Sequence, residues 1–123
     1  MSENNLRDKA DTFALRSVKC STHLKKQWKE YVIADQILRC GTSIGANIYE
    51  SKFAQSNADY ISKLSIALKE ASETCFWLNL IHSSEFIDDH TFESMSDEVE
   101  QLIKILVTII KKLKEKEEKK PQH

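Results

Sequence analysis

The sequence predicts an all-α protein, an antiparallel up-down-up-down four-helix bundle. Three observations predict it. Four segments repeat apolar residues at alternating spacings of three and four, the helical period. Only two Gly and one Pro stand among 123 residues, too few for the tight turns of a sandwich or barrel. The links between the periodic segments span only a few residues, and short links lay consecutive helices antiparallel.

The first helix is expected from about Leu6 to about Lys26, with Leu6, Ala10, Phe13, Ser17, Cys20 and Leu24 on one face. Small residues in that stripe fit close approach by a neighbour. The second, from about Val32 to about Phe53, aligns Ile33, Ile37, Cys40, Ile44 and Ile48. The third is expected from about Asn57 to Ser83 and aligns Ile61, Leu64, Leu68, Ala71, Cys75 and Leu78. Ser56-Asn57-Ala58-Asp59 opens it, because a side-chain oxygen and an early acid satisfy orphan amides. The fourth opens at Asp88-Asp89 and runs past Leu113, carrying Phe92, Met95, Val99, Leu102, Leu106, Ile109 and Leu113. Residues 1–118 are expected to form one domain and residues 119–123 a disordered polar tail.

Both glycines, Gly41 and Gly45, fall inside the second helix, one turn apart on one face. A mid-helix Gly costs about 1 kcal/mol against Ala, so the pair needs a reason. A strip where another backbone comes close supplies one, from the same chain or from a second subunit. A break at Cys40–Thr42 is the alternative; Ile37, Ile44 and Ile48 stay in register and favour a continuous helix. Arg39, Ser43, Asn47 and Glu50 share this helix with the glycines, and Glu70, Glu73 and Asn79 stand on the third. They fit a polar ladder that fixes register, since a buried polar group left unpaired costs about 1–3 kcal/mol.

Eighteen basic and nineteen acidic residues give a net charge of −1, so global charge declares no nucleic-acid or membrane partner. The charge is uneven. Seven acids and no Lys or Arg lie between Glu85 and Glu100, and seven lysines with three acids between Lys104 and Lys120. Acid at a helix start and base at its end complement the helix dipole. Lys19, Lys25, Lys26 and Lys29 gather at the end of the first helix, and Lys111, Lys112 and Lys114 at the end of the fourth. In an up-down bundle these are two patches at opposite poles. No apolar run has signal-peptide or membrane-span length, so a soluble, cytoplasmic protein without membrane contact is expected.

Catalytic and metal chemistry find no support. His23, His82, His90 and His123 follow no Glu at i−3, so the Glu-x-x-His of di-iron bundles is missing. No glycine-rich phosphate loop, Gly-x-Ser-x-Gly or CxxC occurs. Cys20, Cys40 and Cys75 read as buried thiols. No catalytic residue, metal or cofactor is expected.

Arg39-Cys-Gly41-Thr-Ser43-Ile-Gly45-Ala-Asn47-Ile-Tyr-Glu50 resembles the signature of the bacterial four helix bundle protein family, encoded by intervening sequences inside 23S ribosomal RNA genes. Asp59-Tyr60, Lys63-Leu64, the run Ile66 to Thr74 with Glu70 and Glu73, and Trp77-Leu78 agree with it. Ser51 departs from the Gly that many members carry there. The resemblance covers nearly the whole chain. It implies a homo-oligomer, commonly a pentamer. It extends to the accessory variability protein of diversity-generating retroelements, which implies RNA or DNA binding and a protein partner such as a reverse transcriptase.

Two functions follow as expectations: an oligomeric nucleic-acid-binding accessory protein, or a protein–protein scaffold without a nucleic-acid role. Trp28, Tyr31, Tyr49, Phe53, Ile66, Phe76, Trp77, Leu80, Ile103, Ile105 and Ile110 exceed one core stripe per helix and predict a subunit interface.

Overall fold

The computed structural model describes residues 3–119. They form four helices, α1 (Glu3–Trp28), α2 (Val32–Ser51), α3 (Asn57–Ser83) and α4 (Asp89–Glu118), with no strand among the described residues. Of the expected tail, Lys119 forms the turn that ends α4, and residues 120–123 lie outside the described residues.

The helices pack as a four-helix bundle in which α1 meets α2, α2 meets α3, α3 meets α4 and α4 returns to α1. Contacts between neighbours pair rising with falling residue numbers. Lys9 meets Gln101 and Arg16 meets Glu98 across α1 and α4, and His23 meets Phe86 of the α3–α4 link just before α4. Arg39 meets Glu70 and Glu73, and Glu50 meets Lys63, across α2 and α3. His82 meets Asp89, and Asn57 meets Glu117, across α3 and α4.

The α1 stripe is buried as its spacing predicts, from Leu6 through Phe13 to Leu24. α2 is one continuous helix across its glycines and buries Ile37, Cys40, Ile44 and Ile48; Ile33 is only partly covered. α3 turns further than its heptad implies. It buries Ala67, Thr74 and Ile81 with Leu64, Ala71 and Leu78, leaving Ile61, Leu68 and Cys75 at the core's edge. α4 buries Ile105 and Ile110 beside Met95, Val99, Leu102 and Leu106, so those two isoleucines are core. Ser17, Ser51 and Thr74 are buried polar residues whose hydroxyls donate to carbonyls of their own helix.

The start signals act as expected. Ser56 Oγ accepts from the Asp59 amide at 3.0 Å, and Asp59 accepts from the Gln55 amide at 3.2 Å. Asp88 accepts from the Thr91 amide at 2.7 Å. The C-termini of α1 and α3 close without glycine. Lys29 and Glu85 adopt φ of 51° and 66°. The amides of Glu30 and Phe86 then reach back to Leu24 and Ile81 carbonyls at 3.1 Å each.

The neighbour at the glycine strip is α1 of the same chain. A Cβ on Gly41 would lie 2.0 Å from Ser17 Oγ and 2.6 Å from Ser17 Cβ. No rotamer of Ser17 moves its Cβ, so α1 would have to shift. A Cβ on Gly45 would meet the Ala10 carbonyl at 3.6 Å, an ordinary contact.

Two pairs of substitutions test this account by denaturant unfolding. Gly41→Ala is expected to destabilise by about 1–3 kcal/mol through overpacking, whereas Gly45→Ala gains up to about 1 kcal/mol of helix propensity. Equal effects would refute the α1 contact. Lys29→Gly and Glu85→Gly are each expected to stabilise by about 1 kcal/mol, because Gly adopts a positive φ without the Cβ clash.

Candidate functional site

Arg39 and Glu50, the charged residues of the α2 motif, face outward beside α3. Arg39 is half-exposed and forks onto two carboxylates of α3, donating to Glu70 at 3.3 Å and to Glu73. It also donates to Gln36 Oε1 at 3.1 Å and 3.3 Å. Trp77 Nε1 donates to the same Glu73 at 3.0 Å. That hydrogen bond, with Arg39 beside it, holds the Glu73 carboxyl below the usual glutamate range. About three turns further along α2, at about 3.6 residues per turn, Lys63 and Glu50 form a second link at 3.5 Å.

Ser43 and Asn47 do not bridge the helices. Ser43 Oγ donates to the Arg39 carbonyl at 2.6 Å, and Asn47 Nδ2 to the Ser43 carbonyl at 2.8 Å, both within α2. The ladder is therefore two charged rungs between helices, with back-bonded polar residues between them. Gly41 and Gly45 belong to the opposite contact, against α1.

The lysines of α1 divide. Lys25 pairs with Asp35 of α2 at 2.8 Å. Lys19 and Lys26 are exposed and have no ion pair among the described residues. Lys29 is exposed in the α1–α2 link. Lys111, Lys112 and Lys114 are exposed near the far end of α4 and are followed by Glu115, Glu117 and Glu118. Lys111 stands roughly 30 Å along α4 from Asp89, at 1.5 Å per residue, and Asp89 lies at the pole where α1 ends. The two lysine groups do not join on the surface of the chain.

The seam between α1 and α4 is the thinnest of the four and is bridged by polar side chains. Lys9 donates to Gln101 at 2.8 Å; Arg16 donates to Ser94 at 2.7 Å and pairs with Glu98. Where the seam widens towards the α3–α4 link, a cleft of about 760 Å³ opens. Its α1 wall carries Arg16, Lys19 and His23, and its α4 side carries Glu85 and Asp88. Trp28, Phe86, Ile87 and Met95 provide the apolar lining. Trp28 is half-exposed and touches Phe86 with ring centroids 5.1 Å apart. Burial pushes the Cys20 thiol on the cleft floor up to about 11, against the opposing charge of Arg16, so it stays protonated at neutral pH. Hydrogen bonds from Thr91, through its side chain and amide, hold the Asp88 carboxyl below the usual range.

Sequence reasoning missed this cleft. Its signal was the spacing of Arg16, Lys19, His23 and Lys26 by three, four and three, a polar stripe running alongside the apolar one. Among the described residues no three His, Cys, Asp or Glu side chains gather as a metal site, and no helix is long and apolar enough to cross a membrane.

Glu73 has a testable pH signature. Its folded-state pKa is depressed, so its contribution is present above the unfolded value of about 4.3 and is lost as pH falls through the lower folded value. Glu73→Gln is expected to cost at most about 1 kcal/mol at pH 7, given the exposure of the pair. The difference from the parent should vanish in acid below the folded pKa. Urea titrations at several pH values that show a constant gap would refute the assignment.

Three comparisons place these features. The family model described as 23S rRNA-intervening sequence protein matches residues 2–108. The crystal structure of a protein with unknown function from the S23 ribosomal protein family of Bacteroides thetaiotaomicron is similar, at 48% identity and a TM-score of 0.88. The match covers 90% of this chain and 99% of that one. No curated protein matches. With the matched region spanning all but the last turns of α4, the chain belongs to the 23S rRNA-intervening sequence protein family.

Proposed function

We propose that the protein is a non-enzymatic, cytoplasmic, homo-oligomeric accessory protein that binds nucleic acid. Its protomer is an antiparallel up-down-up-down bundle, a course supported by the rising and falling residue numbers at three helix seams. The observation that carries the binding function is the uncompensated base on α1. Lys19 and Lys26 stand on one exposed face one heptad apart, while Lys25 and Arg16 are neutralised by carboxylates. Phosphate binding is a matter of such free cations, and each neutralised phosphate releases counterions.

Assembly rests on apolar surface the protomer leaves uncovered. Ile66, Phe76 and Leu80 are exposed on α3, with Val32 on α2 beside the Arg39 cluster. Leu15 and Val18 are exposed on the outer side of α1. A closed ring such as a pentamer joins two different faces head to tail, and these two faces meet that requirement. Each copy then repeats the α1 lysines about the axis, which multiplies phosphate contacts. The same α3 face favours a second reading, a scaffold for a different protein, in which Phe76 is an anchor for that partner.

Light scattering on a size-exclusion column tests assembly. An oligomer is expected, with Phe76→Glu and Leu80→Glu reducing it to helical protomers; a parent that stays monomeric at micromolar concentration would overturn the ring. Mobility shifts with a structured RNA at two salt concentrations test binding. Affinity should fall steeply with salt, whereas salt-tolerant association with protein alone supports the scaffold.

A further inference from the structure

We propose that the α1–α4 cleft seats one unpaired nucleobase of a single strand, stacked against Trp28, with the flanking phosphates on Lys19 and Lys26. This rests on the nucleic-acid reading above and specifies the strand and the contact.

The cleft's volume of about 760 Å³ lies within the range of about 300–1,000 Å³ typical of small-molecule sites. Its lining is divided by chemistry. Trp28 presents a half-exposed indole at the rim, backed by Phe86 at 5.1 Å, and Ile87 and Met95 continue the apolar surface. A base has an apolar face and polar edges, so it can stack on the indole whatever its sequence. Lys19 lines the cleft and Lys26 continues its face two turns later. Both cations are exposed and without an ion pair among the described residues. Arg16 and His23 are already engaged, with Glu98 and with the Phe86 carbonyl, so they shape the wall. Glu85 and Asp88 on the opposite side accept hydrogen bonds only, which repels phosphate towards α1 and offers partners to exocyclic amino groups.

A base paired in a duplex has its faces covered by its neighbours, so the cleft selects single strands, loops or bulges. RNA and DNA share this chemistry.

The test uses tryptophan fluorescence. Trp28 and Trp77 are the two tryptophans, and Trp77→Phe leaves Trp28 as the sole tryptophan, excited selectively at wavelengths tyrosine does not absorb. The full chain carrying that change is titrated with twelve-nucleotide oligo(A) as RNA and as DNA, with a duplex of the same length, and with an abasic strand of equal charge. Either single strand is expected to quench Trp28 and to bind about five-fold or more tighter than the abasic strand. In the parent chain, followed by mobility shift, Trp28→Ala should weaken oligo(A) by about the same factor, and Trp28→Phe should retain most of the affinity. Lys19→Gln, on an exposed side chain, should reduce the slope of log K against log salt by about 0.7.

Equal binding of oligo(A) and the abasic strand would overturn the cleft assignment. So would loss of binding in a Lys111→Gln/Lys112→Gln variant with none in Trp28→Ala. In both cases nucleic-acid binding itself stands. No binding of any strand, duplex or structured RNA at low salt would overturn both.

Discussion

The approach of α2 to α1 at Gly41 is the constraint from which much of the rest follows. Ser17 occupies the space that a Gly41 side chain would take, and its hydroxyl is satisfied by the Phe13 carbonyl of its own helix. Phe13, wholly buried, lies against the same position, its ring 3.6 Å from where a Gly41 Cβ would stand, and no buried polar side-chain atom is left unpaired among the described residues. The chain then has no glycine left for its turns. Lys29 and Glu85 take up left-handed backbone instead, at the steric cost every L-residue bears there. The α2–α3 and α3–α4 links end on side-chain caps at the next helix, from Ser56 and Asp88.

How far the sequence could be read depended on how much of each helix is apolar. α1 is polar except along its stripe and a few outer residues, so only one rotation buries it, and the stripe is buried throughout. α3 carries apolar side chains around much of its circumference, including Ile61, Ile66, Cys75, Phe76, Trp77 and Leu80. Several rotations satisfy its periodicity. The observed one follows from α2 and α4 on either side, which bring Ala67, Thr74 and Ile81 inward. The glycine pair was legible as a close approach, but spacing along one helix cannot name the helix opposite. Ser43 and Asn47 were legible as polar and confined, yet a carbonyl one turn back satisfies them as well as a neighbouring helix would.

The asymmetry of charge along α4 serves two purposes at once. Acids at its start complement the helix dipole. Glu98 also pairs with Arg16, and its neighbour Ser94 accepts from the same guanidinium. The α1–α4 seam is therefore closed by long polar side chains more than by interlocking apolar ones. Side chains of that kind hold helices together at a greater separation, and the cleft opens on this seam beside the α3–α4 link. Matching is incomplete: α1 has more bases on this side than α4 engages, and Lys19 and Lys26 are the remainder.

The Arg39 cluster gains meaning from the proposed assembly. On a lone protomer it is an exposed network in which Arg39 joins Glu70 and Glu73 and Trp77 joins Glu73, and exposed ion pairs contribute about 0–1 kcal/mol. Covered by another copy, the same groups are desolvated. Because they are already paired within the chain, they can be covered without leaving a buried charge unpaired, which would cost about 3–5 kcal/mol. Ile66, Phe76 and Leu80 on α3 and Val32 on α2 supply undirected attraction in the same region. In the proposed assembly the apolar residues supply the attraction, and the internally paired charges let the face be covered at little electrostatic cost.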